Sequence, residues 1–127
     1  MTAEILLVDD NPVQAATRQA ILSLRGWTVA VAEHGYRALE MLEDAELFAS
    51  VSLIITDHCM PHLNGPQFVD LLRRRLPAIP VLVLSGLPDA EEEYAGLDVV
   101  FRTKPILPDQ LLSLVDSFLD QPMSRTA

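Results

Sequence analysis

The chain has 127 residues and a mass of 14.0 kDa, which is the size of one ordinary domain. Half of the residues are apolar, so a buried core can form, while 18 acidic against 9 basic residues give a net charge of −9 that opposes binding to nucleic acid or anionic membranes. The single cysteine excludes an internal disulfide framework and suits a reducing cytoplasm, no apolar run is long enough to cross a bilayer, and the start MTAEILLVDD does not resemble a signal peptide.

The first strand and helix are predicted by a short apolar run and the residues behind it. Residues Ile5 to Val8 are all apolar, as in a strand that is buried on both faces. Asn11 and Pro12 suit the N-cap and the first position of a helix, and Gly26 suits its C-terminal end. Apolar residues at helical spacing predict the apolar face of this helix: Val13, Ala16, Ala20, Ile21 and Leu24.

The same alternation continues to the end of the chain. Further strands are predicted at residues 27–32, 53–55, 81–84 and 99–101. Further helices are predicted from Tyr36 to about Ala45, from Pro66, over a short and very acidic stretch from Asp89 to about Ala95, and from Pro108. Residues 1–120 then form one domain, and residues 121–127 a short C-terminal tail that we expect to fray.

Five strand–helix units in series predict an α/β fold with a parallel sheet and helices on both of its faces, a doubly wound arrangement. In such sheets the ligand crevice lies outside the carboxyl ends of the strands. The residues that directly follow each predicted strand are therefore the first candidates for a functional site.

Charged and polar residues follow four of the five strands. Asp9 and Asp10 follow the first, Asp57 the third, Ser85 the fourth and Lys104 the fifth. Clustered carboxylates repel one another unless a cation compensates them, and carboxylate oxygens suit Mg²⁺, which also accepts phosphate oxygens. A carboxylate beside Mg²⁺ and a lysine can act as a nucleophile towards phosphorus, so the pattern predicts phosphoryl transfer.

Four motifs in this order and spacing resemble the receiver domain of two-component response regulators, the CheY-like superfamily. They are VDDNP from Val8, TDHCMP from Thr56 with Gly65 behind it, VLVLSG from Val81, and FRTKP from Phe101. The resemblance covers residues 4–119. It implies a flavodoxin-like (βα)5 fold, with a five-stranded parallel sheet in the strand order 2-1-3-4-5.

The resemblance also implies a role for each matching position, with Asp57 as the phosphoacceptor. The other roles are Mg²⁺ ligation by Asp9, Asp10, Asp57 and the backbone carbonyl of Cys59, phosphoryl contacts from Ser85 and Lys104, a conformational switch at Ser85 and Phe101, and a cis peptide bond before Pro105.

The function implied is a phosphorelay step. A sensor histidine kinase or a histidine phosphotransfer protein would pass a phosphoryl group to Asp57 in the presence of Mg²⁺. The domain would catalyse only its own phosphorylation and dephosphorylation, so it is a signalling domain rather than an enzyme. A downstream protein would bind the face formed by the short acidic helix, the fifth strand and the last helix. No DNA-binding or catalytic domain fits in the remaining tail, so we expect a cytoplasmic receiver. Met1 favours a stand-alone protein, and the alternative is a receiver cut from a hybrid kinase, whose receivers often carry a similar DDNP stretch.

Other hypotheses remain. A pseudo-receiver that binds proteins without being phosphorylated usually lacks one of the acidic pair, the acceptor or the lysine, and all are present here. A flavodoxin needs a phosphate-binding loop after the first strand, where VDDNP would repel phosphate. Aspartyl-phosphate hydrolases carry Asp-x-Asp there, not an adjacent pair. His58, Cys59 and His62 suggest zinc, but neighbouring residues cannot easily turn both side chains to one ion.

Overall fold

The computed structural model describes residues 1–119, so the tail expected at 121–127 lies outside the described residues. The described residues form five strands, five α-helices and one 3₁₀ segment. The strands are β1 (Ile5–Val8), β2 (Val29–Ala32), β3 (Leu53–Asp57), β4 (Val81–Ser85) and β5 (Val100–Thr103). The helices are α1 (Pro12–Leu24), α2 (Gly35–Met41), α3 (Ala45–Ser50), α4 (Gly65–Arg75) and α5 (Pro108–Leu119), and the 3₁₀ segment is Pro88–Tyr94.

All strand pairs are parallel, and the sheet has the order β2-β1-β3-β4-β5. This confirms the expected α/β fold and strand order. The order reverses beside β1, because β2 and β3 pair with its opposite edges. The carboxyl ends of β1, β3, β4 and β5 therefore meet along one edge of the sheet, where a crevice forms.

Alternating side chains of the strands feed two separate core layers. Leu6, Val8 and Ile54 pack on one face of the sheet with residues of α2, α3, α4 and the 3₁₀ segment. Ile5, Leu7 and Ile55 pack on the other face with residues of α1 and α5. The all-apolar strand sequences follow from this arrangement, since both faces of every central strand are covered.

The apolar face predicted for α1 is wrong. Val13 is 74% exposed and Leu24 is 89% exposed, while Ala15 and Leu22 are the buried residues of this helix. The face towards the sheet runs through Ala15, Arg18 and Leu22, so its central position is an arginine. An apolar pattern cannot recognise a face that contains a small residue and a charged one.

Two other elements differ from the expectation. The helix predicted from Tyr36 to about Ala45 ends at Met41, and Asp44 caps a separate helix, α3, by accepting hydrogen bonds from the backbone N–H groups of Glu46 and Leu47. The acidic stretch after β4 forms a 3₁₀ segment with no side-chain cap instead of an α-helix. None of the helices within residues 1–119 is long and apolar enough to cross a membrane.

Candidate functional site

Three carboxylates meet at the carboxyl edge of the sheet. Asp9 and Asp10 directly follow β1, and Asp57 is the last residue of β3. Each offers an oxygen, and these oxygens all lie within 4.8 Å of one another. Asp9 and Asp57 are buried, with 2% and 4% of their surface exposed, whereas Asp10 is exposed. The cluster is therefore buried on the side of Asp9 and Asp57 and open to solvent on the side of Asp10.

Lys104 brings a positive charge to this cluster from the end of β5. Its Nζ atom lies 2.7 Å from Asp57 Oδ1 as an ion pair. Asp57 Oδ1 is buried, and Lys104 is its nearest positive charge. Lys104 Nζ also lies 3.4 Å from Gln14 Oε1 on α1. The backbone N–H of Lys104 donates to the Ser85 carbonyl at 2.7 Å, which holds the end of β5 against β4.

Arg18 supplies a second cation, from α1. Its Nη1 atom donates a hydrogen bond to Asp9 Oδ2 at 2.9 Å and lies 3.8 Å from Asp57 Oδ1. Only 13% of the Arg18 side chain is exposed, so the guanidinium is enclosed with the carboxylates. The other Asp9 oxygen, Oδ1, accepts a hydrogen bond from the backbone N–H of Asn11 at 2.9 Å.

The crowding of carboxylates shifts the pKa of Asp9. Burial, together with the neighbouring Asp57 carboxyl, raises the pKa of Asp9 from 3.8 to about 6. The Asn11 N–H and the Arg18 charge act in the opposite direction without cancelling the effect. The site therefore holds excess negative charge that a further cation would relieve.

The remaining predicted site residues lie along the same edge with different local roles. The Ser85 hydroxyl accepts from the Leu87 N–H at 2.9 Å and contacts the Leu87 carbonyl at 3.3 Å, so it is engaged in its own loop and not with the carboxylates. Cys59 is exposed in the loop after β3. Phe101 is buried in β5, and the peptide bond between Lys104 and Pro105 is cis.

A buried contact that the sequence did not predict joins the loop after Asp57 to the 3₁₀ segment. Tyr94 Oη lies 2.7 Å from His58 Nδ1, and both residues are buried. Burial, followed by the charge of Glu93, raises the pKa of the Tyr94 phenol well above its usual range, so the phenol stays protonated. The Tyr94 ring also packs against Phe101, with ring centroids 5.9 Å apart.

Gly65, the first residue of α4, is explained by this contact. A Cβ atom at this position would lie 1.9 Å from Tyr94 Oη and 3.1 Å from the Cα atom of His58. The Gly65 N–H also donates to the His58 carbonyl at 3.0 Å. The backbone of α4 can come this close to the loop only because residue 65 has no side chain.

The donor set of the edge fits a hard divalent cation. Three carboxylates with one solvent-open side match the oxygen ligands and retained waters of Mg²⁺. Asp57 Oδ1 is buried and paired with Lys104 Nζ at 2.7 Å, so the edge already holds one positive charge against the carboxylates. Within residues 1–119, no other set of three histidine, cysteine or acidic side chains converges closely enough to hold an ion, so the structure does not support zinc at His58, Cys59 and His62.

The sequence pattern located the edge but missed two of its parts. Asp9, Asp10, Asp57 and Lys104 were predicted from their positions after strands, and the structure brings them together. Arg18 was missed because it stands in the middle of a helix, on the face that the apolar pattern did not identify. The contact between His58 and Tyr94 was missed because it joins a loop and the 3₁₀ segment across 36 residues of chain. The one sequence signal for the role of Arg18 was a single arginine between Ala15 and Leu22.

Comparisons of the sequence and of the structure with known proteins agree on one family. Residues 5–116 match the response regulator receiver domain family. The response regulator MprA of Mycobacterium ulcerans is 32% identical over 122 residues, which are 94% of this chain and 51% of MprA. The sensor kinase CckA of Brucella abortus is 32% identical over 123 residues, 94% of this chain and 13% of CckA. The chain thus spans about half or less of these relatives.

A solved structure shows the same fold over nearly the whole of both chains. The chemotaxis protein CheY4 of Vibrio cholerae has a TM-score of 0.80 and 27% sequence identity, and the match covers 94% of this chain and 100% of CheY4.

Proposed function

The chain belongs to the response regulator receiver domain family of two-component systems, and on this premise we propose that it accepts a phosphoryl group on Asp57 in a Mg²⁺-dependent step. The observation that carries the proposal is the arrangement around Asp57. This residue is 4% exposed, and Lys104 Nζ lies 2.7 Å from its buried Oδ1. The lysine charge beside this carboxylate also favours an anionic phosphoryl group at the same place.

In the proposed reaction an Asp57 carboxylate oxygen forms a bond to the phosphorus of a phosphohistidine. The bond between phosphorus and the histidine ring nitrogen breaks, and its electron pair stays on that nitrogen. Lys104 compensates the charge on Asp57 and on the incoming phosphoryl oxygens. Asp9, Asp10, Asp57 and the backbone carbonyl of Cys59 would hold Mg²⁺, which supplies further charge neutralisation when it is bound.

Ser85 and Phe101 are proposed to act after this step. The Ser85 hydroxyl is bonded to Leu87, so a new bond to a phosphoryl oxygen would free the start of the 3₁₀ segment. Phe101 packs against Tyr94 at the end of the same segment. Phosphorylation would in this way shift the population of conformations on the face formed by the 3₁₀ segment, β5 and α5, where a downstream protein binds.

The donor is proposed to be a histidine kinase or a histidine phosphotransfer protein. Such a protein must bring its phosphohistidine to the edge, so it must contact the residues around the site. Three large apolar side chains beyond the strand ends are exposed: Val13 at 74%, Leu87 at 55% and Leu107 at 60%. A groove of about 260 Å³ between α1 and the start of α5 includes Val13 and Ile106. We propose that the donor protein contacts this groove and these side chains.

We further propose that residues 1–120 act as one cytoplasmic module, without nucleic acid or membrane partners. The net charge of −9 supports this, because it opposes binding to polyanions. The module would work as a signalling domain, since its only chemistry is to gain and lose its own phosphoryl group.

The proposal is tested by incubating the protein with acetyl phosphate and measuring its intact mass. We expect one phosphoryl adduct with Mg²⁺, none with EDTA, and none for Asp57→Asn. The matched control is Asp70→Asn, which changes an exposed aspartate on α4 and should keep the adduct. A folded wild-type protein that shows no adduct, also after rapid quenching, would refute the proposal and favour a pseudo-receiver that binds proteins constitutively.

A further inference from the structure

Arg18 has no part in the roles assigned above, yet it lies inside the acidic cluster. It projects from the middle of α1, with 13% of its side chain exposed. Its Nη1 atom lies 2.9 Å from Asp9 Oδ2 and 3.8 Å from Asp57 Oδ1. An exposed arginine could leave such contacts at little cost, but this guanidinium is enclosed by the residues that it pairs with.

Both oxygens of Asp9 already have donors from the same stretch of chain. The Asn11 N–H binds Oδ1 at 2.9 Å, and Arg18 binds Oδ2 at 2.9 Å. Arg18 and Lys104 together place two positive charges against the three carboxylates of the cluster. The chain thus supplies internally much of the compensation that a divalent cation would provide.

We propose that Arg18 is a positioning residue that competes with Mg²⁺ for Asp9 and so sets the metal affinity of the site. The proposal rests on the proposed function, because it takes the cluster to be a Mg²⁺ site. The competition has two parts: Arg18 occupies Asp9 Oδ2, and its charge repels an incoming cation. A neutral residue at this position removes both parts and leaves two buried carboxylates without that counter-charge.

Two opposite effects follow from this role. Without metal, Arg18 stabilises the fold, because it compensates the buried Asp9 and Asp57. With metal, its removal strengthens binding by about tenfold, the size expected for one unit charge about 6 Å from a divalent ion in a water-like dielectric. A residue with a merely structural role would weaken both the fold and the metal site.

The test is a calorimetric Mg²⁺ titration near pH 8 without a phosphodonor, together with thermal unfolding in EDTA. Arg18→Gln is expected to bind Mg²⁺ about tenfold more tightly than the wild type and to melt at a lower temperature in EDTA. Arg18→Lys, which keeps the charge, is expected to bind like the wild type. The matched control is Arg74→Gln, which removes the same charge from a side chain that is 72% exposed, and it should change neither quantity.

Each result decides the proposal. Tighter binding in Arg18→Gln with wild-type binding in Arg18→Lys supports it. Binding in Arg18→Gln that is unchanged or weaker overturns it, and leaves the metal site itself intact. If neither the wild type nor any folded variant binds Mg²⁺, the metal site of the proposed function fails, and the role of Arg18 fails with it. If Arg18→Gln does not fold, Arg18→Met, which is also neutral and keeps an apolar stem, takes its place, with tighter binding expected and unchanged or weaker binding overturning the proposal.

Discussion

Replacing Gly65 with alanine is expected to destabilise the protein through Tyr94. The added Cβ would lie 1.9 Å from Tyr94 Oη, so the phenol must move and its hydrogen bond to His58 Nδ1, 2.7 Å long, must break. Losing a buried hydrogen bond costs about 1–3 kcal/mol, and forcing side chains apart in a packed interior costs a similar amount. We expect Gly65→Ala to lower the free energy of unfolding by about 3 kcal/mol, or about 12 °C in melting temperature.

A double-mutant cycle separates this cause from a general effect of the substitution. Tyr94→Phe removes the oxygen and its hydrogen bond, at an expected cost of about 1–2 kcal/mol. The atoms nearest to the added Cβ are then Tyr94 Cζ and His58 Cα, both at 3.1 Å, which is tight but requires only a small shift. Gly65→Ala should therefore cost only about 1 kcal/mol in the Tyr94→Phe background, a coupling of about 2 kcal/mol.

Urea or thermal unfolding of the four proteins measures the coupling. The matched control is Gly86→Ala, where an added Cβ meets no atom within 4 Å, and it should change the stability by less than about 0.5 kcal/mol. Equal costs of Gly65→Ala in both backgrounds would refute the explanation. So would a Gly65→Ala protein as stable as the wild type.

Three further predictions concern other parts of the molecule. Arg73→Ala removes hydrogen bonds to four backbone carbonyls at 2.6–3.1 Å, so it should cost about 2–4 kcal/mol in urea unfolding, against under about 0.5 kcal/mol for Arg74→Ala. The pKa of Asp9, about 6 in the fold against 3.8 unfolded, means that ionised Asp9 opposes folding above pH 6 and that this penalty fades as the pH falls towards 4. Mg²⁺, which binds the ionised form, should therefore raise the melting temperature more near pH 7.5 than near pH 5, and equal shifts would contradict this. Val13→Asp should slow phosphoryl transfer from a phosphohistidine donor protein about tenfold and leave the reaction with acetyl phosphate unchanged, because only the donor protein needs the exposed apolar surface. Equal slowing of both reactions would contradict a role of that surface.

The contact between His58 and Tyr94, which the Gly65→Ala experiment probes, links the loop after Asp57 to the 3₁₀ segment. His58 directly follows Asp57, and Tyr94 is the last residue of the 3₁₀ segment. Glu93 Oε2 lies 3.6 Å from His58 Nε2 on the other side of the imidazole ring. The loop after Asp57 and the face formed by the 3₁₀ segment, β5 and α5 are thus joined by side chains as well as through the sheet.

The strands and the acidic edge could be predicted because they depend on local patterns. A short apolar run predicts a strand buried on both faces, and parallel strands bring their carboxyl ends to one edge. Asp9 and Asp57 are 48 positions apart in the chain, but each needs only its own strand to reach that edge. The shared resemblance to receiver domains then supplied the strand order, which the structure confirms.

The parts that were missed depend on contacts between distant elements. The buried face of α1 contains Ala15 and Arg18, and neither residue is marked by hydrophobicity. The arginine can lie there because it pairs with the two buried carboxylates of Asp9 and Asp57. The sequence of the helix alone does not reveal these partners. Likewise, Gly65 is recognisable in the motif, but its reason is a tyrosine 29 residues further along the chain.

The position of the phosphoryl group in the chain tests the assignment of Asp57 most directly. After reaction with acetyl phosphate and Mg²⁺, borohydride reduction converts a phosphorylated aspartate to homoserine, and tandem mass spectrometry of the peptides identifies the modified residue. The arrangement of Asp57 beside Lys104 predicts homoserine at position 57 and nowhere else. Modification at Asp9, Asp10 or another residue, with position 57 unchanged, would contradict it.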